Sequence, residues 1–234
     1  MFTATAEYYD ALYSFKNYGE EADAIRRILA REHPGAKSIL DVACGTGAHA
    51  QLLAASFQMD GIDAEPKFIQ IAQAKHPGGT FTVADMRSFQ LGRRYDVVQC
   101  LFSSIGYLLT AEDIVAALTC FRQHLAPGGV ILVEPWLAPS VYKPGLLNML
   151  TVDQPDLKIC RICTPELQGG ISVLNFQYLI ATGESVMHAE EVHRLALIPT
   201  EQMQSYFQQA GLDCAFDPTG PSGRGLFIAR PHMR

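Results

Sequence analysis

Asp41, Ala43, Gly45 and Gly47 stand at alternate positions in SILDVACGTGAHAQLL (38–53), where an apolar run breaks through a small-residue turn into a helical pattern. Glycines in such a turn let backbone N–H groups approach a ligand closely. A dinucleotide turn has a glycine where this chain has Ala43, and it faces a pyrophosphate that the Asp41 carboxylate would repel. The same carboxylate welcomes a cation. Asp63 ends the next apolar run, in GID, at about the spacing where a carboxylate takes the hydroxyls of a ribose. Asp85 ends a third run, in VADMRSF, where it is placed to accept from the exocyclic amine of adenine. Either aspartate also suits a helix cap, Asp63 ahead of the helix that Pro66 opens.

An adenosine carrying positive charge in place of phosphates satisfies all three carboxylates. S-adenosylmethionine, with its sulfonium and ammonium, is such a compound; NAD is disfavoured by Ala43 and Asp41. A sulfonium methyl moves by a single in-line displacement, so the main task is to hold a nucleophile behind the methyl carbon. No covalent intermediate is required, and no Ser-His-Asp or Cys-His constellation stands out. An amine acceptor must be neutral, a state favoured by a desolvated pocket beside a cation.

Candidates around the acceptor are Tyr13, Tyr107, Glu134, Trp136 and His193. Tyr107, after the fourth apolar run, suits a hydrogen bond to the amine or to a water, and equally a half-buried aromatic rim. His193 falls in an alternating run and reads first as a strand histidine. His124, before LAPGG, reads as a partner for a helix C-terminus. In PSGRG (221–225), backbone N–H groups and Arg224, with Ser222 beside them, suit a substrate phosphate or carboxylate or, as readily, a hairpin with a surface arginine.

The elements that carry these residues alternate. Strand patterns SILDVA, FQMDGID, GTFTVAD, YDVVQCLF and GGVILVEP are separated by helical HAQLLAAS, PKFIQIAQAKH and AEDIVAALTCFRQHL, the last apolar at Ile114, Ala117, Leu118, Phe121 and Leu125. This predicts an α/β fold with a doubly wound parallel sheet, whose ligands sit beyond the carboxyl ends of its strands. After Trp136 the prolines 135, 139 and 144 interrupt the pattern, and LKICRIC, GISVLNFQYLIAT and ESVMHAEEVHRLALI predict a small antiparallel β-meander of three strands. The helix TEQMQSYFQQAG follows, with Thr200 as N-cap candidate and Gly211 closing it, and then the short strands LDCAF and GLFIA. Residues 1–135 and 200–234 are thus expected to form one α/β domain, with 136–199 inserted as an acceptor lid or a dimer face. Val173, Leu174, Phe176, Tyr178 and Ile180 occupy both faces of one strand, which predicts burial on more than one side and a homodimer.

Composition narrows the partners. The 234 residues are 48% hydrophobic and carry a net charge of −6, enough for a sizeable core and without the basic excess that nucleic acid or an anionic bilayer demands. MFTATAEYYDALY lacks a basic n-region followed by an apolar core, and no apolar run nears the roughly 20 residues of a spanning helix, so a soluble, cytoplasmic protein with a small-molecule partner is expected. Cys160 and Cys163 form a lone C-x-x-C within a strand pattern that points them to opposite faces, which favours free thiols over a metal site or disulfide.

DVACGTG, GID, ADM at Asp85, YDVVQCLFSSIG and HLAPGGVILVEP together resemble the motifs of class I S-adenosylmethionine-dependent methyltransferases over roughly residues 36–135. A narrower likeness spans nearly the whole chain: DVACGTG, LFSSIG, HLAPGG with VEPW, EEVHRL and GPSGRGLF are similar to the N,N-dimethyltransferases that act on nucleotide-linked deoxyamino sugars in antibiotic biosynthesis. The resemblance implies a Rossmann-like fold, S-adenosylmethionine as cofactor, and a tertiary amine made by two successive transfers. It places Tyr18 and the Asp41–Gly47 turn at the methionine end, Asp63 at the ribose, Asp85 with Met86 at the adenine, and Leu101 beside the cofactor. Trp136, Ser222 and Arg224 fall to the substrate. Those sugar enzymes commonly carry histidine immediately after S-S-I-G, where this chain has Tyr107, and a longer segment ahead of Tyr8 and Tyr9. Both differences fall at the acceptor. Methylation of oxygen or nitrogen in a different natural product, and non-catalytic cofactor binding, are the competing functions.

Overall fold

Near-continuous apolar runs form the central strands, because a parallel sheet is covered on both faces. They are β1 (Ser38–Val42), β2 (Gln58–Asp63), β3 (Phe81–Val83), β4 (Tyr95–Cys100) and β5 (Leu125–Val133). The computed structural model describes residues 5–232, so the first four residues of the stretch read for a leader lie outside the described residues. The inserted sheet comprises β6 (Asn148–Gln154), β7 (Leu157–Gln168), β8 (Ile171–Thr182) and β9 (Val186–Ala196); β10 (Leu212–Asp217) and β11 (Leu226–Pro231) return to the first sheet.

The large sheet runs β10-β11-β5-β4-β1-β2-β3, with β10 and β11 antiparallel to their neighbours. Strand order reverses about β1, which pairs with both β2 and β4 in parallel. The Asp41–Gly47 turn therefore leaves the sheet at the crevice where ligands bind. The helices are α1 (Tyr9–Leu12), α2 (Tyr18–Glu32), α3 (Ala48–Leu53), α4 (Pro66–Lys75), α5 (Ala111–Gln123) and α6 (Thr200–Gln209). One face of the sheet buries Ile114, Leu118 and Phe121 of α5 with Met203 and Phe207 of α6; the other buries Ile25 and Leu29 of α2 with Leu53 and Ile69.

Three local readings need correction. Pro199, not Thr200, is the N-cap of α6; Thr200 is its first helical residue. The meander has four antiparallel strands, not three: β6 pairs with β7 across a two-residue Pro155-Asp156 turn. Val152 is the one fully buried β6 residue, with Leu150 packed partly beside it, so two inward apolar positions are all the alternation the strand offers and it rests largely on its backbone ladder. Finally, β8 turns Phe176, Tyr178 and Ile180 into the interior, while Leu179, Ile162 and Val192 lie exposed on the outer face; Val173, which shares the parity of Leu179, is buried at the start of the strand. Burial on both faces is confined to the start of β8, at Ser172 and Val173, and does not run along the strand.

The inner face of the small sheet packs on α1: Ile159, Cys163, Phe176 and Tyr178 meet Tyr9, Leu12 and Tyr13. This contact holds the insertion over the carboxyl edge of the large sheet. Cys163 is buried there, whereas Cys160 is part-exposed on the other face, and both are free thiols.

Candidate active site

At the end of β1 the backbone enters the left-handed region at Ala43 (φ 57°), Gly45 (φ 55°) and Gly47 (φ 76°). Such a turn aims successive N–H groups into the crevice. It is tied down by the Cys44 N–H donating to the Ile62 carbonyl at 3.0 Å and the Gly45 N–H donating to Asp63 Oδ2 at 2.9 Å. Asp63 Oδ1 accepts from the Glu65 N–H at 2.9 Å, while Glu65 itself caps α4. Asp63 thus fixes the cradle and lines the cavity above it; burial pushes its carboxyl up.

Asp41 is 2% exposed, and its Oδ2 has no hydrogen-bond partner among the described residues. Burial pushes its carboxyl up to about 6, against the pull of His49. An orphaned buried carboxylate oxygen of this kind fits a ligand that brings positive charge. Tyr18, Asp41, Ala43, Gly45 and Leu101 line a small recess of about 40 Å³ that adjoins the main cavity. Gly47 faces the other way, toward Ala72 of α4. Lys16, which sequence reading passed over, pairs with Glu21 at 2.8 Å, and Glu21 in turn bonds His49 at 2.8 Å.

The main cavity holds about 1080 Å³ and joins this cradle to the insertion. Asp85 and Met86 lie on its rim. Asp85 is engaged by Arg87, whose Nη2 and Nε donate at 2.6 and 3.0 Å, and Arg87 also reaches Asp113 at 3.0 Å. The Arg87 hydrogen bonds hold the Asp85 carboxyl below the usual range.

On the acceptor side, Tyr107 ends a 3-10 turn (Ser104–Tyr107) that follows β4. Its hydroxyl lies 2.5 Å from His193 Nδ1, and His193 Nε2 lies 3.4 Å from Glu191 Oε2. The strand histidine of the sequence reading is indeed on β9, yet it faces the cavity at 1% exposure. Burial pushes the imidazole down and the Tyr107 phenol up. Glu191 accepts from the Thr5 and Tyr178 hydroxyls at 2.9 and 3.2 Å. Tyr13 joins the same wall and accepts from Arg161 Nη1 at 3.3 Å. His124 lies apart, as C-cap of α5.

Opposite, Phe102 (φ 50°) and Ser103 (φ 63°) form a kink after β4 that costs about 1–3 kcal/mol for each residue. It is held because Glu134 Oε2 accepts the Phe102 N–H at 2.7 Å and the Ser103 hydroxyl donates to the Pro135 carbonyl at 2.7 Å. Arg224 donates to the Ser103 hydroxyl at 3.1 Å and stands over the Phe102 and Trp136 rings at 5.0 and 5.3 Å. Ser222 lines the cavity with its hydroxyl given to Glu134, and Trp136 donates to Ser172 at 2.8 Å. Arg161 escaped sequence reading. The signal was present: in LKICRIC it shares the inward parity of Ile159 and Cys163, where a charge is out of place.

A family profile described as a methyltransferase domain matches residues 39–129. Across 230 residues, the chain is 39% identical to a Streptomyces fradiae protein named dTDP-3-amino-3,6-dideoxy-alpha-D-glucopyranose N,N-dimethyltransferase, covering 97% of this chain and 90% of that one. Its fold is similar to the crystal structure of Streptomyces venezuelae DesVI, with 34% identity, a TM-score of 0.92, and coverage of 99% and 100% of the two chains. A second solved relative, the S-adenosylmethionine-bound amino pentose methyltransferase of calicheamicin biosynthesis from Micromonospora echinaspora, aligns at 30% identity with a TM-score of 0.85, over 98% of this chain and 97% of that one. With the motifs of the cradle in place at the switch point of the sheet, the chain belongs to the S-adenosylmethionine-dependent methyltransferases, in the family of the nucleotide-linked amino-sugar N,N-dimethyltransferases.

Proposed function

We propose that the protein methylates the amine of a nucleotide-linked amino sugar, twice, with S-adenosylmethionine as donor. One observation carries this reading: a single cavity joins the carboxylate cradle to the Tyr107, Tyr13 and His193 wall. When bound, the cofactor supplies an electrophilic methyl carbon on a sulfonium. The chain's own residues hold, orient and desolvate. Asp41 and the Ala43–Gly47 turn with Tyr18 and Leu101 take the methionine end, Asp63 the ribose, and Met86 with Asp85 the adenine. Tyr13, Tyr107 and His193 orient the amine, and Trp136, Ser222 and Arg224 take the remainder of the acceptor. Approximation then contributes most of the rate.

The test is a donor screen of the purified protein against nucleotide-linked amino sugars, free amines and phenols, read by mass spectrometry as added methyls. Cofactor binding with no turnover of any acceptor would leave only a non-catalytic binding role, and a copurifying NAD would remove the assignment altogether. Arg224→Ala is expected to raise the acceptor KM and to leave cofactor affinity alone, because the arginine contacts a remote anionic group and not the reacting centre. Kinetics indistinguishable from wild type on every acceptor would remove that role.

The 2.5 Å contact between Tyr107 and His193 favours one alternative, in which Tyr107 is a general base for an alcohol or phenol. The two readings separate cleanly. For an amine, kcat/KM rises with pH until the acceptor is mostly neutral, and Tyr107→Phe costs at most about tenfold, since one positioning hydrogen bond is worth about 1 kcal/mol. For an oxygen acceptor the same change costs about a hundredfold or more and abolishes the pH-dependent limb. The smaller loss is expected.

Residues 136–199 form the inserted unit of this reading, and its outer face, with Ile162, Leu179 and Val192 exposed, supports a homodimer. Sedimentation of the purified protein checks this. No helix among the described residues is long and apolar enough to cross a membrane. The six free cysteines support a cytoplasmic location.

A further inference from the structure

Glu191 stands two residues before His193 on β9, with the same inward parity, and no role above accounts for it. A carboxylate at 6% exposure on the inner face of a sheet has to be held by donors. Its Oε1 accepts the Thr5 N–H at 3.1 Å; its Oε2 accepts the Thr5 and Tyr178 hydroxyls at 2.9 and 3.2 Å and lies 3.4 Å from His193 Nε2. Burial works against its charge, yet the hydrogen bonds from His193 and Thr5 outweigh burial and hold the carboxyl below its usual range. Glu191 is therefore ionised and can only accept.

That fixes the imidazole. Nε2 faces an acceptor-only carboxylate and must carry the ring proton, while burial, with the Arg161 charge across the inner face, keeps the other nitrogen bare. Arg161 has no carboxylate within 4.0 Å among the described residues and donates to the Tyr13 hydroxyl instead. Nδ1 of His193 is then an acceptor, and the Tyr107 hydroxyl 2.5 Å away is its donor, since burial keeps the phenol protonated. With its proton committed to the ring, the Tyr107 oxygen turns only lone pairs toward the cavity that it lines. Such an oxygen takes an N–H and leaves the lone pair of an amine alone.

We propose that Glu191 is a positioning residue for methyl transfer: through His193 it locks the Tyr107 hydroxyl as a hydrogen-bond acceptor, so that the site grips an amine by its N–H and leaves the amine lone pair to the methyl carbon. A primary and a monomethylated amine each have an N–H to give; a neutral dimethylated amine has none. The lock thus holds the acceptor for a second transfer and lets go after it. The inference rests on the reading that the acceptor is an amine.

The tautomer is read on the wild-type chain with S-adenosylhomocysteine bound, by correlation spectra of ¹⁵N-labelled histidine. His193 is expected as the Nε2–H form; an Nδ1–H form overturns the lock and leaves methyl transfer standing. Glu191→Gln is the second arm. The Thr5 N–H keeps the amide oxygen at the Oε1 position, so the NH2 group faces His193, the ring reverses its tautomer, and Tyr107 turns its proton onto the amine lone pair. With a thymidine-diphosphate-linked amino sugar as acceptor, kcat is expected to fall about thirtyfold, the worth of two hydrogen bonds, with KM within about twofold, because the bound acceptor trades one hydrogen bond for another. Adding Tyr107→Phe should then bring kcat back to within about tenfold of wild type. A further loss in the double variant would mean that Glu191 only supports the sheet. Should Glu191→Gln fold poorly, calorimetry on the wild type and Tyr107→Phe decides: at a pH where both amines are neutral, the monomethylated acceptor should bind about fivefold more tightly than the dimethylated one, and Tyr107→Phe should erase the difference. A preference that survives Tyr107→Phe overturns the grip. If His193 shows the expected tautomer but no amine is methylated, the lock on Tyr107 stands and the amine reading fails.

Discussion

Gly47→Ala is expected to cost about 2 to 4 kcal/mol of folding stability, while Gly45→Ala, two residues away, costs about half as much and acts chiefly on the cofactor. Both positions hold the backbone at positive φ, where a Cβ costs about 1–2 kcal/mol. They differ in what that Cβ meets. At Gly47 it would lie 3.0 Å from the Ala72 Cβ and 3.2 Å from its Cα, so α4 must shift, which adds about 1–3 kcal/mol of overpacking. At Gly45 it meets nothing within 4 Å and projects into open space beside the cradle. Urea unfolding should therefore rank Gly47→Ala as the less stable variant, and S-adenosylmethionine titrations should show the larger affinity loss per unit of stability in Gly45→Ala. The reverse ranking would mean that the turn is not a cradle for ligand.

Asp63→Ala is expected to weaken S-adenosylmethionine binding by about 1.5 to 3 kcal/mol, the worth of a charge-assisted pair of hydrogen bonds to the ribose. The carboxylate has a second task, since Oδ2 and Oδ1 take the Gly45 and Glu65 N–H groups. Alanine leaves both donors without an acceptor and loosens the turn as well. Asp63→Asn separates the effects: one amide oxygen still accepts a backbone N–H, but the negative charge toward the ribose is gone. Calorimetry on folded protein is the measurement, and unchanged affinity in the alanine variant would remove Asp63 from the ribose.

The parallel strands were legible because each is buried on both faces and so reads as a run of Val, Ile and Leu; the spacing of Asp41, Asp63 and Asp85 followed from where those runs end. Elements held by long-range contacts were not. β6 has Val152 as its one fully buried residue and exists because β7 offers it a ladder. α2 carries the periodic Ala22, Ile25 and Leu29, together with an Asn17 cap that accepts from the Glu20 N–H, and this signal was overlooked beneath its charged residues. The bridging of Asp85 and Asp113 by Arg87, and the pairing of His193 with Tyr107 86 residues away, depend on side-chain directions that only the assembled fold sets. Arg161 belongs with these: its parity was readable, but the absence of a carboxylate partner was not.

The position of β11 in the sheet has a consequence for how the protein is made. Although it is the last strand along the chain, it lies between β5 and β10, supplies Phe227 and Ala229 to the core, and follows directly on Arg224. β5 consequently keeps one edge unpaired until synthesis has run past residue 231, and an unpaired apolar edge is a site of misassociation for a nascent chain. The cofactor cradle is built from β1, β2 and their turns, whose strand pairing does not involve that segment. On the ribosome the chain can therefore pair β1 with β2 and β4 early, while the edge of β5 waits for β11 to slide into place.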